Sequence, residues 1–247
     1  MHQFHSPYGV YGHTPAEPFE LTPDAKRVRR FLEDYFIVHG FGPDFPEIMT
    51  TLQMSQNETW EAIHQLEQAV QVMLVPGTEN LVKMPPFSYV PTPHRVSLGD
   101  SRRWYTGCAG EACAINKMFP GRQVTIESTC RDCWEPITLV MKDGELLSVD
   151  PPEAVIHLGV HPSKFGEDWI VTCDSINFFR SAEHVAAWEE AVPQRRGVMM
   201  PIEMGPAWVD GVASTRYWNY DRGSDAVDGG ALLARFRAMG LDVKAWE

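Results

Sequence analysis

The sequence predicts an α+β protein: an N-terminal winged-helix-like three-helix module, then a mostly antiparallel β-sheet domain with flanking helices. Apolar residues recur at helical spacing, between recognisable caps, up to about residue 70. Beyond residue 86, runs rich in Val, Ile and Thr are bounded by turn residues, as strands are. A proline-dense stretch, KMPPFSYVPTPHRV at residues 83–96, lies between the two patterns and is expected to run extended, with a domain boundary near residue 85.

Residues 1–20, MHQFHSPYGVYGHTPAEPFE, mix Pro, Gly, His and single aromatics without a period, which is the composition of a flexible arm. The spacing of His2, His5 and His13 fixes no metal geometry. The module proper spans residues 21–85. Thr22 is placed to cap a helix with Pro23 in its first turn, and Ala25, Val28, Phe31, Leu32, Tyr35 and Val38 recur on one face until Gly40. PEIMTTLQ, from Pro46, fits a second short helix. The third opens on the capping box Ser55 to Glu58 and carries Trp60, Ile63, Leu66, Val70 and Met73 on one stripe. QVMLVPGTENLVKM then reads as a hairpin around a Pro-Gly turn.

A DNA reader of this type brings basic residues to the groove on its third helix. Here that helix carries Glu58, Glu61 and Glu67 and no Lys or Arg. The module is therefore expected to pack against the rest of the chain. The whole chain agrees: 33 acidic against 21 basic residues give a formal charge of −12, which repels phosphate backbones and anionic membranes. No apolar run reaches the roughly 18 residues of a membrane span, and the N-terminus has no export-signal pattern, so a cytoplasmic location is expected.

Residues 86–194 form the expected second domain. GRQVTIEST, PITLVMKDGELLSVD, AVIHLGV and DWIVTCDSINFF carry strand-type residues, with Asp143-Gly144 as a hairpin turn. SAEHVAAWEEA, residues 181–191, supplies a capped helix with Val185 and Trp188 inward. A C-terminal extension over residues 195–247 ends in the short helix GGALLARFRAMG, stopped at Gly240.

The cysteines, Cys108, Cys113, Cys130, Cys133 and Cys173, are odd in number, which favours free thiols or a metal over a disulfide framework. CRDC, Cys130 to Cys133, has the spacing of half a structural zinc site, to which Cys108 and Cys113 are the available partners. Cys108 and Glu111, three positions apart in a helix-forming stretch, place a thiol and a carboxyl on one face. The bland alternative is a small-residue helix start with Cys108 as filler.

The stretch from Tyr89 to Trp188 resembles the alkylmercury lyase family, the organomercurial lyases, through VPTPHRV, RRWYTGCAGE, MFPGRQVTIESTC and WIVTCDSINFF followed by SAEHVAAWEEA. With the N-terminal module, the resemblance runs over roughly residues 22–192. It implies a lyase that breaks carbon-mercury bonds by protonolysis, with Cys108 and Cys173 as the thiols that hold mercury and Glu111 as the acid. It implies no cofactor: mercury is substrate and product, and Hg(II) passes on to small thiols or a mercuric reductase. Two departures stand out. Glu111 replaces the family's Asp, and Cys113, Cys133 and the tail from about Gly197 are atypical. The competing expectation is a non-catalytic thiol protein that binds zinc or another soft metal through Cys108, Cys113, Cys130 and Cys133.

Overall fold

Helix ends form where the local signals put them. The computed structural model describes residues 20–75, 78–165, 168–212 and 229–247, so the arm over residues 1–19 and its histidines lie outside the described residues. Thr22 accepts from the Ala25 N–H to start α1 (Pro23–His39), and Gly40 ends it at φ 82°. Asp44 caps α2 (Phe45–Leu52) one residue before the expected start. Ser55 and Glu58 form the capping box of α3 (Gln56–Gln68). That helix is shorter than its apolar stripe. Val70 turns the chain at φ 56°, and Met73 begins a strand instead of a further helical turn.

The main sheet has eight strands: β1 (Met73–Leu74), β2 (Leu81–Met84), β3 (Phe87–Ser88), β4 (His94–Ser97), β5 (Arg103–Thr106), β6 (Gln123–Thr129), β7 (Pro136–Lys142) and β8 (Glu145–Asp150). Their order is β1-β2-β3-β5-β4-β6-β7-β8, and every neighbouring pair is antiparallel. Asp143 and Gly144 make the β7–β8 turn at φ 50° and 90°. A second, three-stranded sheet has β9 (Val155–Leu158) between β10 (Ile176–Phe179) and β11 (Val198–Pro201), again antiparallel.

The proline-dense stretch is not a free connector. Across residues 85 and 86, Lys83 pairs with Ser88 and Met84 with Phe87, so the main sheet runs unbroken from the hairpin after α3 into the rest of the chain. Its apolar residues draw it inward: Phe87 stacks on Phe36 at 5.0 Å, and Tyr89 meets Phe36 edge-on at 4.8 Å. Trp104 of β5 donates to the Phe36 carbonyl at 2.6 Å, closing the same contact from the strand side.

Among the described residues five further α-helices follow: α4 (Ala109–Ile115), α5 (Trp169–Asp174), α6 (Ala182–Ala191), α7 (Gly205–Val212) and a last helix over Gly229–Ala238 that ends near Gly240, at φ 84°. α5 corrects the sequence expectation, since DWIVTCDSINFF is not one strand. Asp168 accepts from the Val171 N–H at 3.0 Å and caps a helix, and the strand begins only at Ile176. A local cap thus overrides the β preference of Trp, Ile, Val and Thr. Among the described residues no helix is long and apolar enough to cross a membrane.

α1 is fastened to the sheet through one buried charge network. Arg29 donates to Glu33 at 2.7 Å, to Gln71 at 3.1 Å and to the Pro85 carbonyl at 3.4 Å, with both charged side chains only 2% exposed. Glu33→Ala, which strips the carboxylate from a buried guanidinium, should cost about 3 kcal/mol, while Arg29→Met combined with Glu33→Leu should cost less than the single change. Urea unfolding followed by circular dichroism measures both.

Candidate active site

β5 delivers the chain to Cys108, which caps α4: its Sγ accepts from the Glu111 N–H at 3.3 Å. The expected proximity of thiol and carboxyl is present, but as cap and third helical residue. The helix is short and built of small residues, and Ala109, Ala112 and Ala114 are fully buried. Smallness is needed here. A methyl on Gly110 would strike the Trp208 ring of α7, and one on Gly107 would strike Glu111 Oε2 and Lys83 Nζ.

Cys173, in the last turn of α5, reaches the same place from 62 residues further along, its Sγ 3.6 Å from Glu111 Oε1. The two sulfurs and a Glu111 oxygen all lie within 4.8 Å of one another, and all three residues are buried. Cys113 takes no part. Its thiol lies against Gly205 of α7, and burial pushes it up to about 12. Cys130 and Cys133 sit with His184, so the four-cysteine set considered from spacing is not assembled.

Sequence reasoning missed Lys83. The residue, on β2, is only 6% exposed, and its ammonium donates to the Gly107 carbonyl at 3.3 Å. The one available signal was a lone Lys in the apolar strand LVKM. Burial works against its charge, but the acidic groups of Cys173, Glu111 and Cys108 outweigh it and hold the ammonium above its ordinary range.

These neighbours divide the protons unequally. Cys173 is lowered to about 6, chiefly because the Cys108 thiol donates to it, with Lys83 and Glu111 adding to the effect against burial. Cys108 moves the other way, well above the usual thiol range, through burial, its donation to Cys173 and the nearby carboxyl. Glu111 is also raised well above the carboxylate range, first by burial and then by the Cys173 charge, with Lys83 opposing. These shifts favour charge on Cys173 and Lys83 and disfavour it on Cys108 and Glu111. Glu111 Oε2 has no hydrogen-bond partner among the described residues. The arrangement offers two sulfurs to a soft metal and a proton beside them.

A family model for alkylmercury lyase matches residues 87–208, which contain both cysteines and the glutamate. Over this stretch, just under half of its length, the chain is similar to the alkylmercury lyase family. It is 31% identical over 104 residues to the alkylmercury lyase of Bacillus cereus, covering 42% of this chain and 46% of that protein. Against the alkylmercury lyase of Pseudomonas putida it is 31% identical over 116 residues, covering 45% and 50%. The chain thus spans about half the length of the curated relatives it matches. The crystal structure of the mercury-bound form of MerB2 superposes with a TM-score of 0.62 at 22% identity, over 78% of this chain and 92% of that one, a likeness of fold. Lys83 lies outside the matched residues, although its ammonium stands inside the alkylmercury lyase domain's buried cluster.

The uneven protonation predicts one thiolate near neutrality. Its ultraviolet absorbance should rise as pH increases through about 6 in the wild type and be missing over that range in Cys173→Ser. Lys83→Met should move the midpoint upward, because removing the cation disfavours the anion.

Proposed function

We propose that this chain is an organomercurial lyase that breaks carbon-mercury bonds by protonolysis, releasing a hydrocarbon and Hg(II). The observation that carries this reading is the buried convergence of Cys108, Glu111 and Cys173. The Cys173 thiolate takes mercury first and displaces its exchangeable ligand, since thiolates bind soft metals far better than oxygen donors do. The Cys108 thiol's donation, helped by the Lys83 ammonium, favours that sulfur's ionised form before the substrate arrives.

Cleavage then needs a second sulfur and a proton. As Cys108 adds to mercury, electron density on the metal rises and the carbon becomes basic. Glu111 gives its proton to carbon, and its new carboxylate takes the proton that Cys108 sheds. The proton that ends on the hydrocarbon is thereby replaced from Cys108, Glu111 finishes protonated, and Hg(II) remains on the two sulfurs. No cofactor enters these steps. The burial of Glu111 favours a start as the acid, with the base role following.

Hand-over of Hg(II) to small thiols or a mercuric reductase completes the reading, and five free cysteines suit a reducing cytoplasm. The helices and hairpin of residues 21–85 serve as a winged-helix-like packing module whose acidic third helix has no use for nucleic acid, and β2 within it supplies Lys83.

The test is headspace detection of hydrocarbon after incubation with a simple organomercurial and excess small thiol. Wild type should release hydrocarbon, and Cys108→Ser and Cys173→Ser should not. Glu111→Gln should still bind mercury while losing release. Glu111→Asp draws the carboxyl back by about 1 Å from its 3.6 Å contact with Cys173 and should slow release by up to about a hundredfold. An increase would mean that the pocket is shaped for aspartate.

A further inference from the structure

β6 and β7 are joined by a turn that carries two sulfurs away from the mercury site. The Trp134 N–H donates to the Cys130 carbonyl at 2.9 Å, the Cys130 N–H donates to the Glu135 carbonyl at 2.9 Å, and Trp134 adopts φ 63°. The chain reverses tightly, and Cys130 and Cys133 come together. α6 packs beside the turn and brings His184 to it. Both sulfurs and a ring nitrogen of His184 lie within 4.8 Å of one another, with Cys133 Sγ and His184 Nε2 4.0 Å apart. The other ring nitrogen, Nδ1, lies 2.6 Å from Asp132 Oδ2.

That last contact fixes the chemistry of the imidazole. With Nδ1–H donated to the carboxylate, Nε2 is left with a lone pair facing the sulfurs, the arrangement in which a carboxylate orients a metal-binding histidine. We propose that Cys130, Cys133 and His184 bind one Zn(II), with Asp132 orienting His184 and a fourth position left to water or a small thiol. Two thiolates and an imidazole are the donor types zinc prefers, and they neutralise its charge. Zinc bonds of about 2.3 Å to sulfur and about 2.0 Å to nitrogen imply donor separations of roughly 3.5–3.8 Å, so donors within 4.8 Å of one another close by at most about 1.3 Å. Cys130 is fully buried while Cys133 and His184 are partly exposed, which lets an ion enter from solvent.

The ion would pin α6 to the sheet, a helix that otherwise has Val185 as its one buried residue among those described. It would also steady the neighbouring active-site helix, because Arg131, between the two cysteines, reaches Asp174 at 3.4 Å, next to Cys173. This site differs from the sequence expectation in half its ligands: His184 stands where Cys108 and Cys113 were considered.

The experiment uses the full chain, purified with a phosphine reductant and no chelator. Elemental analysis should find about one zinc per chain, and Co(II) substitution should give thiolate charge-transfer absorption and the visible bands of a tetrahedral ion. Both should persist in the Cys108→Ser/Cys173→Ser chain, which lacks the mercury thiols. Both should vanish in Cys133→Ser and in His184→Ala, and Asp132→Asn should weaken zinc about 10–100-fold. Zinc retained by Cys133→Ser and His184→Ala, or lost from the Cys108→Ser/Cys173→Ser chain, would overturn the proposal. If the ligand variants do not fold, the cobalt spectrum of the Cys108→Ser/Cys173→Ser chain decides: thiolate charge transfer supports the site and its absence refutes it.

Discussion

The active region depends on keeping one sulfur negative out of water. A buried thiolate is costly unless positive charge and donors replace its hydration, and here the Lys83 ammonium and the Cys108 thiol do so. The same negative charge raises its neighbours, so Glu111 is disposed to keep the proton that the proposed reaction would spend. In the proposed reaction one ionised sulfur thus sets both the nucleophile and the acid. Glycine at position 107 is a condition of this arrangement, because Lys83 Nζ and Glu111 Oε2 both crowd the space a side chain would fill.

That requirement explains how the fold is joined. Lys83 stands on β2, upstream of the matched family domain, and reaches Gly107 only because β2, β3 and β5 are consecutive strands of one sheet. The helices before β2 hold that edge in place through the Phe36, Phe87 and Trp104 contacts and the Arg29 network. The first helices therefore bear on the Cys108–Glu111–Cys173 cluster through β2. α7 does so from the other side, laying Trp208 over Gly110 where α4 is thinnest.

The two thiol clusters differ in kind. The Cys108–Glu111–Cys173 cluster is buried and sets a carboxyl beside two sulfurs, which suits the proposed role for a metal that arrives as substrate and leaves. The Cys130–Cys133–His184 cluster has a histidine already oriented by Asp132, which suits an ion that stays. Arg131 connects the two through Asp174, so the order of the turn bears on the placement of α5.

Signals that act over a few residues were legible in the sequence. Thr22 with Pro23, the Ser55–Glu58 capping box and Asp143-Gly144 each placed an element where the structure has it. Asp168 was an equally local signal, and overlooking it turned α5 into a strand. Motif order pointed to Cys108, Glu111 and Cys173, which the fold brings together. Only the tertiary structure decided that Lys83 joins them, that His184 rather than another cysteine faces Cys130 and Cys133, and which thiol is ionised. Capping and turn preferences are settled by backbone neighbours, whereas ionisation and metal geometry depend on charge, burial and distance between groups that meet only when strands and helices far apart in the chain pack against each other.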